Sequence, residues 1–195
     1  MNYAEIKTFD IANGPGVRTS LFVSGCLHHC PGCFNESAWD FSAGLPFTED
    51  TVKMLLEACR PDYIKGLSLL GGEPMEPSNQ AVLLPFLQEF RKEFPQKSVW
   101  CYSGFTYEEL RGLVPSRAFC QTTEPLLRLI DVLVDGRFIQ SEYDITLRFR
   151  GSRNQRLLDI PKSLAEGHAV LWEDDPVFAV HELAPSITCS QINNR

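Results

Sequence analysis

Short apolar runs that favour strands alternate along this chain with longer stretches of helical periodicity. Residues 17–23 alternate between apolar and polar side chains and are rich in β-formers, which predicts a strand. Glycine or polar turn residues follow each later run. The predicted strands cover 17–23, 66–70, 98–102 and 131–136, with one or two more between 146 and 160. Residues 3–16 are interpreted as a lead-in that ends in the turn Asn-Gly-Pro-Gly.

The intervening stretches predict helices with recognisable starts. Thr48 and Thr106 are cap residues, each followed by acidic residues in the first turn. A longer helix is predicted over 79–94, where Pro85 marks either a kink or the true beginning, and a short one over 126–130.

Strands that alternate with helices indicate an α/β fold with a mostly parallel sheet. A complete eight-unit barrel needs roughly 250 residues, and this chain has 195. We therefore predict an incomplete TIM-like barrel of five to six βα units over residues 1–160. Residues 161–195 form a carboxyl-terminal extension without an assigned role, in which 170–172 and 177–180 are predicted to pair as a hairpin.

The overall charge argues against two classes of partner. The formal net charge is -7 and the sequence pI is about 5.1, whereas nucleic acids and anionic membranes attract basic surfaces. Only the arginines between 148 and 156 oppose this trend. The amino terminus lacks the basic start and apolar core of a signal peptide, and no apolar run is long enough to span a bilayer. We expect a cytoplasmic protein with no nucleic-acid or membrane partner.

The cysteines carry the most specific chemical signal. Cys26, Cys30 and Cys33 place three thiols within eight residues, directly after the strand 17–23. Thiolates are soft ligands suited to zinc, copper(I) or iron–sulfur iron. Structural zinc sites and ordinary iron–sulfur clusters use four protein ligands, so three local cysteines predict a cluster with one open metal position. The alternative is a zinc knuckle completed by His28, His29 or a distant cysteine.

A second motif follows the next strand. Gly71-Gly72-Glu73-Pro74 is a turn at the same predicted sheet edge as the cysteines. Its glycines allow a ligand to approach the backbone closely, and Glu73 offers an acceptor for a cationic group. The alternative interpretation is a tight turn without a binding role.

Together these motifs resemble a known family. The cysteine spacing followed by Gly-Gly-Glu-Pro resembles the radical S-adenosylmethionine enzymes, and Asn-Gly-Pro-Gly-Val-Arg at 13–18 is similar to the glycyl-radical activating enzymes. Further stretches resemble one branch, the activators of anaerobic ribonucleoside-triphosphate reductase. These stretches are residues 30–35, 102–107, 131–138 and 149–155. The resemblance covers roughly residues 1–160.

The resemblance implies a 4Fe-4S cluster on Cys26, Cys30 and Cys33 whose fourth iron chelates S-adenosyl-L-methionine. One electron from a donor such as flavodoxin or ferredoxin then leads to reductive cleavage of the cofactor. The resulting 5′-deoxyadenosyl radical takes a hydrogen atom from a glycine of the anaerobic reductase and leaves a glycyl radical there.

The resemblance also implies residue roles. The turn from Gly71 to Pro74 receives the methionine amine, through the Gly72 backbone and the Glu73 carboxylate. Gly32 and Phe34 lie near the adenine. The superfamily often has an aromatic residue where this chain has Gly32, so Phe34 or backbone contacts alone serve instead.

Further polar residues are expected around the cofactor. Ser103 and Asp135 are expected to contact its ribose or carboxylate, with turn capping as the alternative. Asn154, Arg150 and Arg156 border the site or the partner surface, with a solvated basic face as the alternative.

Two other functions fit the same motifs. The first is activation of another glycyl-radical enzyme, such as pyruvate formate-lyase. Larger activators carry an inserted ferredoxin-like domain, for which the spacing between Cys33 and Gly71 leaves no room. The second is a non-catalytic iron–sulfur or zinc-binding module, in which residues 71–74 would have no purpose.

Overall fold

The structure of the protein is a computed structural model that describes residues 1–173. The described chain forms one open seven-stranded sheet in the order β3-β1-β2-β4-β5-β6-β7. The strands are β1 (Asn2–Asp10), β2 (Val17–Val23), β3 (Leu45–Pro46), β4 (Ile64–Gly71), β5 (Ser98–Tyr102), β6 (Val132–Asp135) and β7 (Arg156–Asp159). The four strands β2, β4, β5 and β6 run parallel, while β1, β3 and β7 are antiparallel to their neighbours. The α/β prediction is confirmed, with a sheet that is mixed rather than wholly parallel.

Five helices connect these strands or follow them. They are α1 (Glu49–Cys59), α2 (Pro77–Glu93), α3 (Tyr107–Leu110), α4 (Thr123–Leu127) and α5 (Ile160–Glu166). Thr48 and Thr106 cap α1 and α3 as predicted, because each hydroxyl accepts a hydrogen bond from the third residue of its helix. The helix α2 begins at Pro77, a favoured first position, so Pro85 lies inside it and does not start it.

One sequence prediction needs correction. Residues 2–10 are not a lead-in but the strand β1, which pairs with both β2 and β3. Most of its side chains are exposed or only half-buried, so the strand shows little hydrophobic alternation. Of the one or two strands predicted between 146 and 160, the structure describes one, β7. In the predicted hairpin, Leu171 bridges to Leu158, whereas residues 177–180 lie outside the described residues.

The two faces of the sheet carry separate hydrophobic clusters. The larger cluster joins one face to α1, α2 and α4 through buried residues such as Leu69, Leu55 and Phe86. The opposite face carries a smaller cluster built on Trp100, against which Phe149 and Trp172 pack. Among residues 1–173, no helix has the length and apolar character needed to cross a membrane.

Candidate functional site

The strand register brings the two sequence motifs together. Val23, the last residue of β2, lies opposite Gly71, the last residue of β4, in the parallel ladder. The chain therefore enters the cysteine loop and the Gly-Gly-Glu-Pro turn side by side. The ends of β5 and β6 follow along the same edge, since Tyr102 pairs with Val134. Such an edge is where open α/β sheets commonly bind ligands.

The cysteine loop turns sharply between its second and third thiols. The Cys33 N–H donates to the Cys30 carbonyl over 3.1 Å, and Gly32 has a φ of +74°. Pro31 at the second position and a positive φ at the third are typical of a type II turn. This backbone geometry favours glycine at 32, the position at which the superfamily often has an aromatic residue.

A short 3₁₀ turn (Glu36–Ala38) supports the start of the cysteine loop. The N–H of Gly25 donates to the Ala38 carbonyl over 2.8 Å, and that of Cys26 donates to the Trp39 carbonyl over 3.0 Å. The ring of His29 lies 4.6 Å from that of Trp39. These contacts hold the first cysteine next to a backbone segment that follows the loop.

Glu73 joins three loops through its buried carboxylate. Its Oε1 accepts from the Met75 N–H and the Ser103 hydroxyl, both over 2.8 Å. Its Oε2 accepts from the Gly104 N–H over 2.7 Å and lies 3.1 Å from His28 Nε2. A carboxylate offers about four lone-pair sites, so these four contacts engage all of them. The cysteine loop is thereby tied to the ends of β4 and β5.

A second buried glutamate ties the same loop from another side. Glu76 accepts from the Leu27 N–H over 3.3 Å and forms an ion pair with Arg117 over 2.6 Å. The guanidinium of Arg117 also lies over the Phe105 ring at 4.6 Å. The residue after the first cysteine is thus held by a charged pair rather than by loop contacts alone.

The glycines of the turn are required by the neighbouring backbone. A Cβ on Gly71 would lie 2.6 Å from Val23 N, and one on Gly72 would lie 2.7 Å from Gly25 O. Both distances are shorter than real Cβ contacts allow. The Gly72 N–H donates to the Val23 carbonyl over 2.7 Å. The close approach that these glycines permit is therefore, at least in part, to the cysteine loop itself.

A cavity of about 430 Å³ lies at this edge of the sheet, a volume in the range of small-molecule sites. Most of the residues predicted for the site line it: Cys26, Cys30, Gly32, Cys33, Phe34, Gly71, Gly72, Glu73 and Ser103. Pro74 and Asp135 are not among the lining residues. Phe34 is 82% exposed, which places its ring at the mouth of the cavity.

Asp135 makes its contacts beside the cavity. Its carboxylate accepts from the Tyr107 N–H over 2.8 Å and from Arg156 Nε over 3.0 Å. Burial raises the pKa of Asp135, while these hydrogen bonds act in the opposite direction. Arg156 also binds Glu108, so this arginine belongs to an ion-pair cluster. Gly136, the residue after Asp135, reaches the cavity instead.

One of the four arginines between 148 and 156 lines the cavity. Arg150 lines it, whereas Asn154 donates to the Arg137 carbonyl and is not part of the lining. Arg153 pairs with Asp144 on the exposed surface.

The residues fit an iron–sulfur cluster with an open position. Cys26, Cys30 and Cys33 are free thiols that all line the cavity. Burial raises the pKa of Cys26 to about 11 and also raises the pKa of Cys30. Iron binding must therefore displace protons from these thiols. Within residues 1–173, no three His, Cys, Asp or Glu side chains stand together in the arrangement that holds a single metal ion.

Two buried polar atoms of the cavity also fit a ligand. His28 Nδ1 and Tyr102 Oη have no hydrogen-bond partner among the described residues, and both residues line the cavity. The side chain of His28 is only 2% exposed. Strand alternation already places Tyr102 on the same face as Trp100. From the sequence, His28 is considered only as a zinc ligand, and Tyr102 is not singled out as a site residue.

Comparison with known proteins agrees with this geometry. The family described as a 4Fe-4S single cluster domain matches residues 12–158. The chain is 45% identical over 157 residues to the anaerobic ribonucleoside-triphosphate reductase-activating protein of Pasteurella multocida, covering 80% of this chain and 95% of that protein. It is 42% identical to the protein of that name from Escherichia coli K12, over 80% of this chain and 96% of that protein. It is 38% identical to the protein of that name from Enterobacteria phage T4, over 80% of this chain and 93% of that protein. The chain therefore belongs to the family of anaerobic ribonucleoside-triphosphate reductase-activating proteins.

Proposed function

We propose that the protein activates anaerobic ribonucleoside-triphosphate reductase by binding a 4Fe-4S cluster and S-adenosyl-L-methionine in the cavity. The observation that carries the proposal is that all three clustered cysteines and the Gly-Gly-Glu turn line one cavity of about 430 Å³. Family membership supports the same activity, since relatives that span most of this chain carry that name. When bound, the cluster and cofactor supply one-electron reductive cleavage, which produces the radical that abstracts hydrogen from a glycine of the reductase.

The residues of this chain would bind the cluster and the cofactor, orient them and enclose them. Cys26, Cys30 and Cys33 ligate the cluster. All three thiols line the cavity, so a cluster held there would be open to a second ligand in it. The turn 71–74 would hold the methionine amine, with the Gly72 backbone as its contact. Glu73 contributes its negative charge nearby, since its oxygens are already engaged by four contacts.

The remaining predicted residues lie at the mouth of the cavity, on its wall or in the turns beside it. Phe34 covers the mouth of the cavity and packs on the adenine, while Gly32 leaves the space that the turn requires. Ser103 holds Glu73 and lines the wall. Asp135 acts indirectly, because its contacts organise the chain before Gly136. Pro74 shapes the turn without lining the cavity.

Anaerobic reconstitution tests the activity. We expect the wild-type protein to take up four irons per chain and to cleave S-adenosylmethionine when reduced. Cys30→Ala removes both properties, whereas Cys120→Ser retains both, because Cys120 lies outside the cavity lining. Stoichiometric zinc without cleavage would show a zinc-binding module instead.

The protein substrate is tested separately. The reduced protein is mixed with the anaerobic ribonucleoside-triphosphate reductase and, in parallel, with pyruvate formate-lyase. We expect a glycyl-radical signal in electron paramagnetic resonance from the first mixture alone. A signal only from the second, with cleavage intact, would redirect the assignment. Flavodoxin or ferredoxin is the proposed electron donor, and each is tested in place of a chemical reductant.

The architecture that supports this function is an incomplete TIM-like barrel. The parallel order of β2, β4, β5 and β6 supports this description, as does the separate cluster around Trp100 on the face that bears the cavity. The 4Fe-4S match ends at 158, which supports a radical S-adenosylmethionine domain over 1–160 and an extension over 161–195. Leu164 of the extension packs against the larger core.

A further inference from the structure

The hydroxyl of Tyr102 is a buried polar group that has no hydrogen-bond partner among residues 1–173. Its oxygen is shielded from solvent and makes no hydrogen bond to any described residue. The side chain extends from the carboxyl end of β5 and lines the cavity that holds the three cysteines. A buried hydroxyl that lacks a partner is unfavourable and is normally satisfied by protein, water or ligand.

Neighbouring polar groups do not meet this need because they are engaged elsewhere. Ser103 donates to Glu73, and Gln155 binds Gly136 and Gly151 on the cavity wall. Asn13 donates to Asp10 over 2.6 Å. The hydrogen-bonding capacity of the described wall is therefore largely used, with the Tyr102 hydroxyl and His28 Nδ1 left without a partner among the described residues.

Arg18 is the charged residue with the largest electrostatic effect on Tyr102, and its N–H groups are also engaged in hydrogen bonds. Arg18 donates to Ser68, to both the hydroxyl and the carbonyl of Ser98, and to the carbonyls of Leu67 and Pro15. These five contacts match the five N–H donors of a guanidinium. Burial raises the pKa of Tyr102, and Arg18 opposes this only in part. The phenol is therefore protonated at neutral pH and can donate.

We propose that Tyr102 is a cofactor-binding residue whose hydroxyl donates a hydrogen bond to an oxygen of bound S-adenosylmethionine. This inference depends on the proposed function for the identity of the ligand. The carboxylate and the ribose hydroxyls of the cofactor are oxygen acceptors of the required kind. The volume of about 430 Å³ and the burial of the hydroxyl favour a small molecule over a protein segment.

The test compares Tyr102→Phe, which removes only the hydroxyl, with Tyr63→Phe. Tyr63 is 57% exposed and does not line the cavity, so its variant is a matched control. Metal-free protein is first unfolded in urea. We expect the midpoint of Tyr102→Phe to equal or exceed that of wild type, because no hydrogen bond among the described residues is lost. A clear decrease would show that the hydroxyl has a structural partner and would overturn the proposal.

Binding is then measured by calorimetry on the reconstituted protein with S-adenosylmethionine, without reductant so that no cleavage occurs. We expect the Kd of Tyr102→Phe to rise about threefold to tenfold, while Tyr63→Phe binds like wild type. Equal Kd values for wild type and Tyr102→Phe would overturn this inference and leave the proposed function intact. Wild-type protein with a full cluster that binds no S-adenosylmethionine would overturn both.

Discussion

The most direct consequence of the site geometry concerns Glu73. The isosteric change Glu73→Gln keeps the volume of the side chain but replaces one acceptor oxygen with an amide that donates. In the wild type, two donors approach each carboxylate oxygen. The two donors that face the new N–H₂ group therefore lose their acceptor.

The structure indicates the size of the effect. A buried donor that loses its acceptor costs about 1–3 kcal/mol. The orientation that costs the least stability puts the amide nitrogen beside Met75 and Ser103, because the hydroxyl of Ser103 can rotate and accept a hydrogen bond from the amide. The Met75 N–H remains unpaired, and the charge-assisted bonds from Gly104 and His28 become neutral and weaker. We therefore expect the free energy of unfolding to fall by about 2–4 kcal/mol.

Urea unfolding of the reduced, metal-free protein, followed by circular dichroism, measures this change. At slopes near 2 kcal/mol/M, the midpoint falls by about 1–2 M. Glu89→Gln is the control, because Glu89 is exposed on α2 and its substitution should change stability by less than about 0.5 kcal/mol. If Glu73→Gln also changed stability by less than about 0.5 kcal/mol, Glu73 would not join these loops and the argument would be refuted.

Three further predictions follow from the same contacts. Gly72→Ala should lower stability by about 1–3 kcal/mol, because the new methyl group meets backbone oxygens at 2.7 Å; an unchanged urea midpoint would contradict this packing. Arg117→Met should destabilise by about 1–3 kcal/mol because it leaves the Glu76 charge buried, and by less when combined with Glu76→Met in a double-mutant cycle. The Arg156 hydrogen bonds lower the pKa of Glu108 below the ordinary glutamate value of about 4.3, so their stabilisation is present above that pH and is lost as pH falls through the folded pKa. Glu108→Gln should therefore lose less stability than wild type between about pH 5 and 3, and parallel pH profiles would contradict the assignment.

Much of the candidate site could be predicted from local signals. The spacing of Cys26, Cys30 and Cys33 and the glycines at 71 and 72 lie in short stretches, and each follows a strand with a clear pattern. The helix caps at Thr48 and Thr106 are also local, since each hydroxyl binds three residues ahead. By contrast, the strand β1 was missed because an edge strand exposes much of its surface and has little hydrophobic alternation.

The sequence by itself determined the chemistry of the cluster, since three soft ligands need only a flexible loop and the right spacing to reach one centre. Tertiary structure decided what holds that loop and what else faces the ligand. Glu73 meets Ser103 across 30 residues and His28 across 45, while Glu76 meets Arg117 across 41. Such partners are chosen by the strand order and register, which no local spacing encodes. The same reason separates Asp135, whose carboxylate binds Arg156 beside the cavity, from Tyr102, whose hydroxyl lies in the cavity and finds no partner in the described part of the chain.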